Sequence, residues 1–198
     1  MEETVNINTR VIVQTISMLC KNTNMQYLNR EKLELLFWVI DRLHVRHSGR
    51  NLTKGTYVQL IGFPTTILML NLIYQIGDPQ DPNSIYFNEN VIFDDEGMLK
   101  EVRDNQTDYL SEVNMVLINK VADHFGNYTV QDMIDLVQQY PEAKHTGSMT
   151  IDMQLFFENP DVENDFFQVD QELLEAAKWT YNEIEQLSKD TGINFHTK

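Results

Sequence analysis

The stretch that decides the fold is LLFWVIDRLHVRHSGRNLTKGTYVQL, residues 35–60. Its first part is apolar on both sides of a helical wheel, which is typical of a helix at the centre of a core. Asp41, Arg42 and His44 interrupt this apolar part near its end, and Gly49 then begins a polar loop. Because an unpaired buried charge is costly, these side chains must be solvated at a cleft or paired inside the protein.

The spacing of the polar residues indicates how they are paired. Asp41 and Arg42 are adjacent, so their side chains point about 100° apart on a helix and are poorly placed to bind each other. His44 is close enough to reach Asp41, and the loop after Gly49 offers backbone donors to the carboxylate. The pattern favours a structural role, in which Asp41 ties the helix end to the loop and Arg42 binds a distant carboxylate or backbone carbonyls. A catalytic Asp41–His44 pair is the alternative.

Composition and charge restrict the class of protein. The chain has 198 residues, a single cysteine and a net charge of −15. This length suffices for one compact core with a tail, and the negative charge argues against direct nucleic-acid binding, which needs clustered Lys and Arg.

Cys20 alone excludes an intramolecular disulfide, and the absence of a signal-peptide pattern predicts a cytoplasmic protein. The longest apolar run, residues 65–76, is too short to span a bilayer and predicts a core helix without membrane contact.

Helix start and stop signals predict a mainly α fold of the α+β type, a compact multi-helix domain with one short β-hairpin near residues 84–95. The predicted helices cover residues 8–21, 30–46, 64–75, 112–125, 130–140 and 171–189. Acidic residues strongly outnumber basic ones after residue 147. We therefore divide the chain into a domain at residues 1–146 and an acidic C-terminal extension at residues 147–198, which contains the acidic helix 171–189.

The other chemically active residues form no recognisable catalytic or metal site. The sequence has no P-loop, Rossmann fingerprint or G-x-S-x-G elbow. Cys20 lies on the first predicted helix beside apolar residues, where a buried thiol is commoner than a reactive one. His44 and His47 supply only half of a zinc site. The acidic stretches DPQDPN and FDDEG lack the spacing of a calcium loop and indicate turns instead. The sequence predicts no cofactor.

Two stretches of the sequence carry a series of polar, apolar, glycine and proline residues in a definite order. KLELLFWVIDRLHVRHSGRNLTKGTYVQLIGFP has them at Leu36, Asp41, Arg42, His44, Gly49, Leu52, Thr53, Tyr57 and Pro64. YLSEVNMVLINKVADHFGNYTVQDMIDLVQQYPEAK has them at Leu110, Ser111, Val121, Phe125, Gly126, Thr129, Leu136, Tyr140 and Pro141. In this order and spacing the chain resembles the Panacea, or SocA-like, antitoxin domain over residues 11–144. We predict that the first stretch forms a structural polar lock, made of Asp41, Arg42, His44, Thr53 and Tyr57.

The chain departs from the family pattern at four positions. Leu35 stands where the family usually has a lysine, and the glycine of a Gly-Pro turn is either replaced by Phe63 or displaced to Gly62. Gln138 and Ala143 stand where the family has a histidine and a tryptophan. If that histidine and tryptophan build a shared site, this chain lacks the site and its partner differs from the family norm.

The resemblance implies an antitoxin that neutralises a cognate toxin by direct protein–protein binding. One alternative is an adaptor that delivers its partner to a protease, and a second is an enzyme that uses Asp41 and His44. We expect the toxin to be encoded nearby. We also expect it to be basic, because an acidic surface attracts a basic partner. The sequence leaves the oligomeric state open. Aromatic residues among the acids of the extension are predicted to contact the partner: Phe156, Phe157, Phe166, Phe167 and Trp179. An extension whose helix docks on the core is equally compatible with the sequence.

Overall fold

The computed structural model describes residues 4–23, 27–60, 63–144, 150–158 and 168–193. Within these ranges the chain forms eight α-helices and two small antiparallel strand pairs, which confirms the predicted mainly α fold. In chain order the elements are α1 (Ile7–Asn22), α2 (Arg30–Ser48), β1 (Tyr57–Leu60), β2 (Phe63–Thr66), α3 (Ile67–Tyr74), α4 (Pro82–Asn90), β3 (Val91–Phe93), β4 (Leu99–Val102), α5 (Glu112–Phe125), α6 (Val130–Val137), a short 3-10 helix (Pro141–Lys144), α7 (Leu155–Glu158) and α8 (Gln171–Thr191).

Helix α2 lies at the centre of the core. It packs against α3, α5, α6, α7, α8 and β2, and 14 of its 19 residues are buried. The Asn29 side chain caps its first turn by accepting from the Lys32 amide, and Gly49 ends it in the left-handed conformation with φ of 74°. The sequence predicted both ends. The fully buried Trp38 packs against the ring of Tyr140 at a centroid distance of 5.3 Å.

Three of the other predicted helices, α1, α5 and α8, begin and end within two residues of their predicted bounds. Ser111 caps α5 and Thr129 caps α6, each by accepting from a backbone amide of the first turn. Helix α6 ends at Val137, earlier than predicted; the chain then tightens, because the amides of Gln139 and Tyr140 donate to carbonyls three residues back. No helix in the described part of the chain is long and apolar enough to cross a membrane.

The hairpin predicted near residues 84–95 is misplaced along the chain. Pro82 occupies the first turn of α4, so the following residues are helical rather than extended. The apolar residues there that favour a strand instead serve a helix, whose Phe87 side chain is buried in the core. The strands are β3 and β4, joined by a turn in which the Asp94 carboxylate accepts from two backbone amides.

The third helix starts later than the sequence predicted. Pro64 lies in β2, which pairs with β1, and α3 begins at Ile67 with the Thr66 side chain as its cap. A proline is compatible with a two-stranded ribbon because its missing N–H can face away from the ladder. Strands β1 and β2 therefore form a second antiparallel pair that the sequence did not predict.

The C-terminal segment packs on the central helix. Ala177, Tyr181 and Ile184 form the buried side of α8, which lies against α2. At the closest approach, a Cβ atom on Gly49 would lie 2.4 Å from the carbonyl oxygen of Ala177. A glycine is therefore required at the end of α2 both for its left-handed backbone and for the docking of α8.

Candidate functional site

The Asp41 carboxylate lies completely buried in α2 and accepts four hydrogen bonds. Its Oδ1 atom accepts from the amides of Leu52 and Thr53, at 2.6 and 3.1 Å. Its Oδ2 atom accepts from the hydroxyls of Thr53 and Tyr57, the latter at 2.7 Å. All four donors come from the loop after Gly49 and from β1, so this one carboxylate joins the central helix to both.

The electrostatics of the site follow from its burial. Burial raises the pKa of the Asp41 carboxyl group, while the hydrogen bonds from Thr53 and Tyr57 act in the opposite direction. Burial and the adjacent carboxylate raise the pKa of the Tyr57 hydroxyl well above its usual value, so Tyr57 remains a donor. A carboxylate whose oxygens are already filled by four donors offers no free lone pair to abstract a proton from a substrate.

The loop between α2 and β1 is held in one shape by its own side chains. The Asn51 amide donates to the Gly55 carbonyl at 2.8 Å, and the Gly55 amide donates to the Thr53 hydroxyl at 3.3 Å. Lys54 between them adopts a left-handed backbone with φ of 51°. The two backbone amides that bind Asp41 therefore lie in a loop that is also braced by its own hydrogen bonds.

The ring nitrogens of His44 form hydrogen bonds with groups other than Asp41. Its Nδ1 atom lies 2.6 Å from the Arg50 carbonyl oxygen, and its Nε2 atom lies 2.9 Å from the Asn114 side chain. Since a carbonyl oxygen only accepts, Nδ1 carries a proton and donates to Arg50. His44 thus links α2 to α5 and to the start of the loop. The predicted alternative of a catalytic Asp41–His44 pair lacks the required hydrogen bond in this structure.

Arg42 forms a buried ion pair with a carboxylate from a distant part of the sequence. Its Nε atom donates to Glu142 at 2.7 Å, and the two side chains are 1% and 0% exposed. Its guanidinium group also lies over the Tyr140 ring, 3.9 Å from the centroid. These contacts hold the 3-10 helix after α6 against α2. The sequence offered no means of identifying Glu142 as the partner.

Three more charged residues of α2 are buried, and sequence reasoning missed them: Lys32, Glu34 and Arg46. Lys32 donates to the Gly126 carbonyl at 2.6 Å, and burial lowers its pKa to about 8. Arg46 donates to the Phe156 carbonyl and so fixes α7 on α2. The apolar pattern of α2 could have predicted their burial, because a helix that is apolar on both sides must bury its charged residues as well.

The predicted partner contacts in the C-terminal extension separate into three groups. Phe156 and Phe157 are 0% and 8% exposed and belong to the core, because α7 packs on α2. They are therefore not surface residues, which corrects the expectation for these two. Trp179 is 65% exposed on α8. Phe166 and Phe167 lie outside the described residues.

The structure also locates the candidate nucleophile and metal ligands. Cys20 is partly buried, and burial raises the pKa of its thiol to about 12. Its thiolate is therefore scarce at neutral pH. Among the residues that the structure describes, no group of three or more His, Cys, Asp or Glu side chains is arranged to hold a metal ion.

These features define a class of protein: a helical domain whose central helix carries a buried carboxylate bound to the following loop. A family model described as Antitoxin SocA-like, Panacea domain matches residues 33–142, more than half of the chain. The chain therefore belongs to this family, and the resemblance seen in the sequence is confirmed. Comparisons with curated proteins and with solved structures found no match.

Proposed function

We propose that this protein is an antitoxin that neutralises a cognate toxin by direct protein–protein binding. The observation that carries this proposal is the family match over residues 33–142. The contacts of Asp41, Arg42 and His44 support a non-enzymatic role, because each side chain is engaged by other groups of the same chain. In this proposal the matched region is a scaffold that presents a binding surface.

The charge of the chain supports a basic toxin as the partner. A net charge of −15 accelerates association with a basic protein and disfavours acidic partners. Trp179 is one candidate contact: it is exposed on α8, and the exposed acids Glu175 and Glu183 lie four residues before and after it on the same helical face. An aromatic ring flanked by acids suits a Lys or Arg side chain of the partner.

The decisive experiment expresses the product of the adjacent gene with and without this chain. We expect the neighbour to arrest growth alone and this chain to restore growth. Trp179→Ala should weaken protection, whereas Leu187→Ala, a matched change at another exposed apolar residue of α8, should keep it. If the neighbour is harmless, or if it stays toxic in the presence of this chain, the antitoxin proposal is wrong.

The same cells distinguish the two alternatives. An adaptor that delivers its partner to a protease would shorten the half-life of the neighbour's product, whereas direct neutralisation leaves the half-life unchanged. An enzyme that uses Asp41 and His44 would lose its biological effect in folded Asp41→Asn and His44→Ala variants. Folded variants that still protect the cell would exclude the enzyme.

A further inference from the structure

A groove runs between the first half of α2 and the unit formed by β2 and α3. Its apolar part is a cleft of about 310 Å3. The lining residues that matter for its chemistry are Glu31, Glu34, Phe63, Leu70, Tyr74 and Ile76. We refer to it as the α2–α3 groove.

One wall of the α2–α3 groove is an apolar surface that the described chain leaves open. Leu70 and Tyr74 line this wall from α3, and Ile67 lies on the same helix face outside the cleft. Ile67 and Tyr74 are 52% and 37% exposed, and Ile76 just beyond the helix is 68% exposed. The core helix predicted at residues 65–76 is therefore α3, and it is buried on one side only. Exposed apolar side chains that border a cleft are candidates for contact with a partner.

The opposite wall carries a buried acidic side chain. Glu34 is 2% exposed, and its two carboxylate oxygens accept from the hydroxyls of Thr65 and Tyr74 at 2.6 and 2.9 Å. Burial raises its pKa, the two hydrogen bonds lower it, and the nearby Glu31 raises it further. A cation placed in the groove would relieve the cost of keeping this buried carboxylate ionised.

The groove continues into a polar cleft of about 300 Å3 that shares Glu31 and Tyr74 with the apolar part. Asp95 and Glu96, in the turn between β3 and β4, line this end. Among the described residues that line this end, Arg30 is the basic one; its guanidinium group lies over the rings of Phe93 and Tyr74, 5.0 and 6.0 Å from their centroids. Acidic groups therefore outnumber basic ones along the whole groove.

We propose that the α2–α3 groove is the surface that binds the toxin, and that its occupant is a basic amphipathic segment of that protein. The segment inserts an apolar side chain beside Leu70 and Ile76 and places Lys or Arg side chains against Glu34 and Glu31. A purely apolar segment would bring no countercharge to Glu34 and Glu31, and a second copy of this chain would bring a like net charge of −15. This inference rests on the proposed antitoxin function and adds a second contact surface to Trp179.

The first test uses the neighbour's product and matched pairs of variants. Ile76→Asp is paired with Val116→Asp, since the two side chains are 68% and 63% exposed. Glu31→Lys is paired with Glu112→Lys, since both glutamates lie in the first turn of a helix. We expect each groove variant to weaken binding to the toxin about tenfold or more and each control to bind like the wild type. Equal unfolding midpoints verify that the variants fold.

The second test needs no toxin. The probe is a synthetic helical peptide of about 14 Leu and Lys residues with one apolar face, added to the full chain and followed by NMR. We expect chemical-shift changes centred on β2, α3 and the start of α2, and weaker binding by Ile76→Asp and Glu31→Lys than by their controls. Shift changes centred elsewhere, or equal losses in the control variants, would overturn the proposal.

The two tests separate failure of the inference from failure of the proposed function. If the wild-type chain neutralises the toxin and the groove variants neutralise it equally well, the groove proposal is wrong and the antitoxin function stands. If no neighbour is toxic, the antitoxin function fails, and the peptide experiment still decides whether the groove binds a basic amphipathic segment.

Discussion

At Asp41 a single carboxylate accepts hydrogen bonds from donors that lie 11 to 16 residues further along the chain. Such an arrangement is costly to disrupt, because removal of the acceptor leaves several buried donors unpaired at once. The sequence indicated this role through the cost of burying a charge in an apolar helix. It could not supply the number of donors, which depends on the shape of the loop.

Replacement of Asp41 by alanine should therefore destabilise the protein strongly. Four stranded donors predict that Asp41→Ala lowers the free energy of unfolding by at least about 3 kcal/mol. Urea unfolding followed by tryptophan fluorescence measures the change. Asp123→Ala, at an exposed position on α5, is the control and should change it by less than about 0.5 kcal/mol. A loss below about 1 kcal/mol for Asp41→Ala would contradict the structural role.

Lys32 should make stability depend on pH in the alkaline range. The folded chain loses this proton at a pKa of about 8, whereas the unperturbed value is 10.5. Between these values the unfolded state binds more protons, so the contribution of Lys32 to the free energy of unfolding rises with pH, by up to about 1.4 kcal/mol per unit. Below pH 8 the cost of burying the charged amine is present in full.

Comparison of the wild type with Lys32→Met isolates this effect. We expect the difference between their free energies of unfolding to change between about pH 7 and pH 9.5, in favour of the wild type at the higher pH. Lys100→Met removes an exposed lysine and should give a constant difference. A constant difference for Lys32→Met as well would show that Lys32 titrates normally.

At the scale of single elements, the helices were predictable because their signals are local. Asn29, Ser111 and Thr129 begin helices through their own side chains, and Gly49 ends one through its own backbone. The two antiparallel strand pairs were not predictable with the same success. Pro64 is compatible with a first helical turn and with a strand at the edge of a ribbon, and only the pairing of β1 with β2 decides between them.

Gly49 provides the prediction at this scale, since it serves both α2 and α8. Gly49→Ala should lower the free energy of unfolding by about 2–4 kcal/mol, because the left-handed backbone is strained and the new methyl group meets the backbone of α8. Gly192 is the matched control: it ends α8 with φ of 66°, and nothing lies within 4 Å of its added Cβ. Gly192→Ala should cost about 1 kcal/mol. Equal losses in thermal or urea unfolding would mean that α8 does not press on Gly49.

At the scale of the whole molecule, the packing suggests that the acidic extension is part of one cooperative unit. The sequence separated residues 147–198 from residues 1–146 by composition, which reports on the surface. In the structure, Arg46 holds α7, and α8 covers α2 at Gly49. Elements that share a buried face in this way are expected to unfold together.

The two tryptophans allow this to be measured. Trp179→Phe leaves Trp38, in the centre of the core, as the sole tryptophan. We expect the midpoint of urea unfolding from Trp38 fluorescence to coincide with the midpoint from far-ultraviolet circular dichroism, to which α8 contributes. The wild type serves as the control for any effect of the substitution. An earlier dichroism transition would indicate that α8 unfolds separately from the core.

The sequence by itself determined the helical class of the protein, the caps of its main helices, its acidic charge and its family, because these depend on periodicity and on short motifs within one segment. It also singled out Asp41, since a charge in a helix that is apolar on both sides must find a partner. Only the tertiary structure decided that Arg42 meets Glu142, that Phe156 is buried, and that Glu34 and Ile76 border one groove. These facts depend on which distant segments pack together, and the physical reason is that burial and pairing are properties of two surfaces rather than of one.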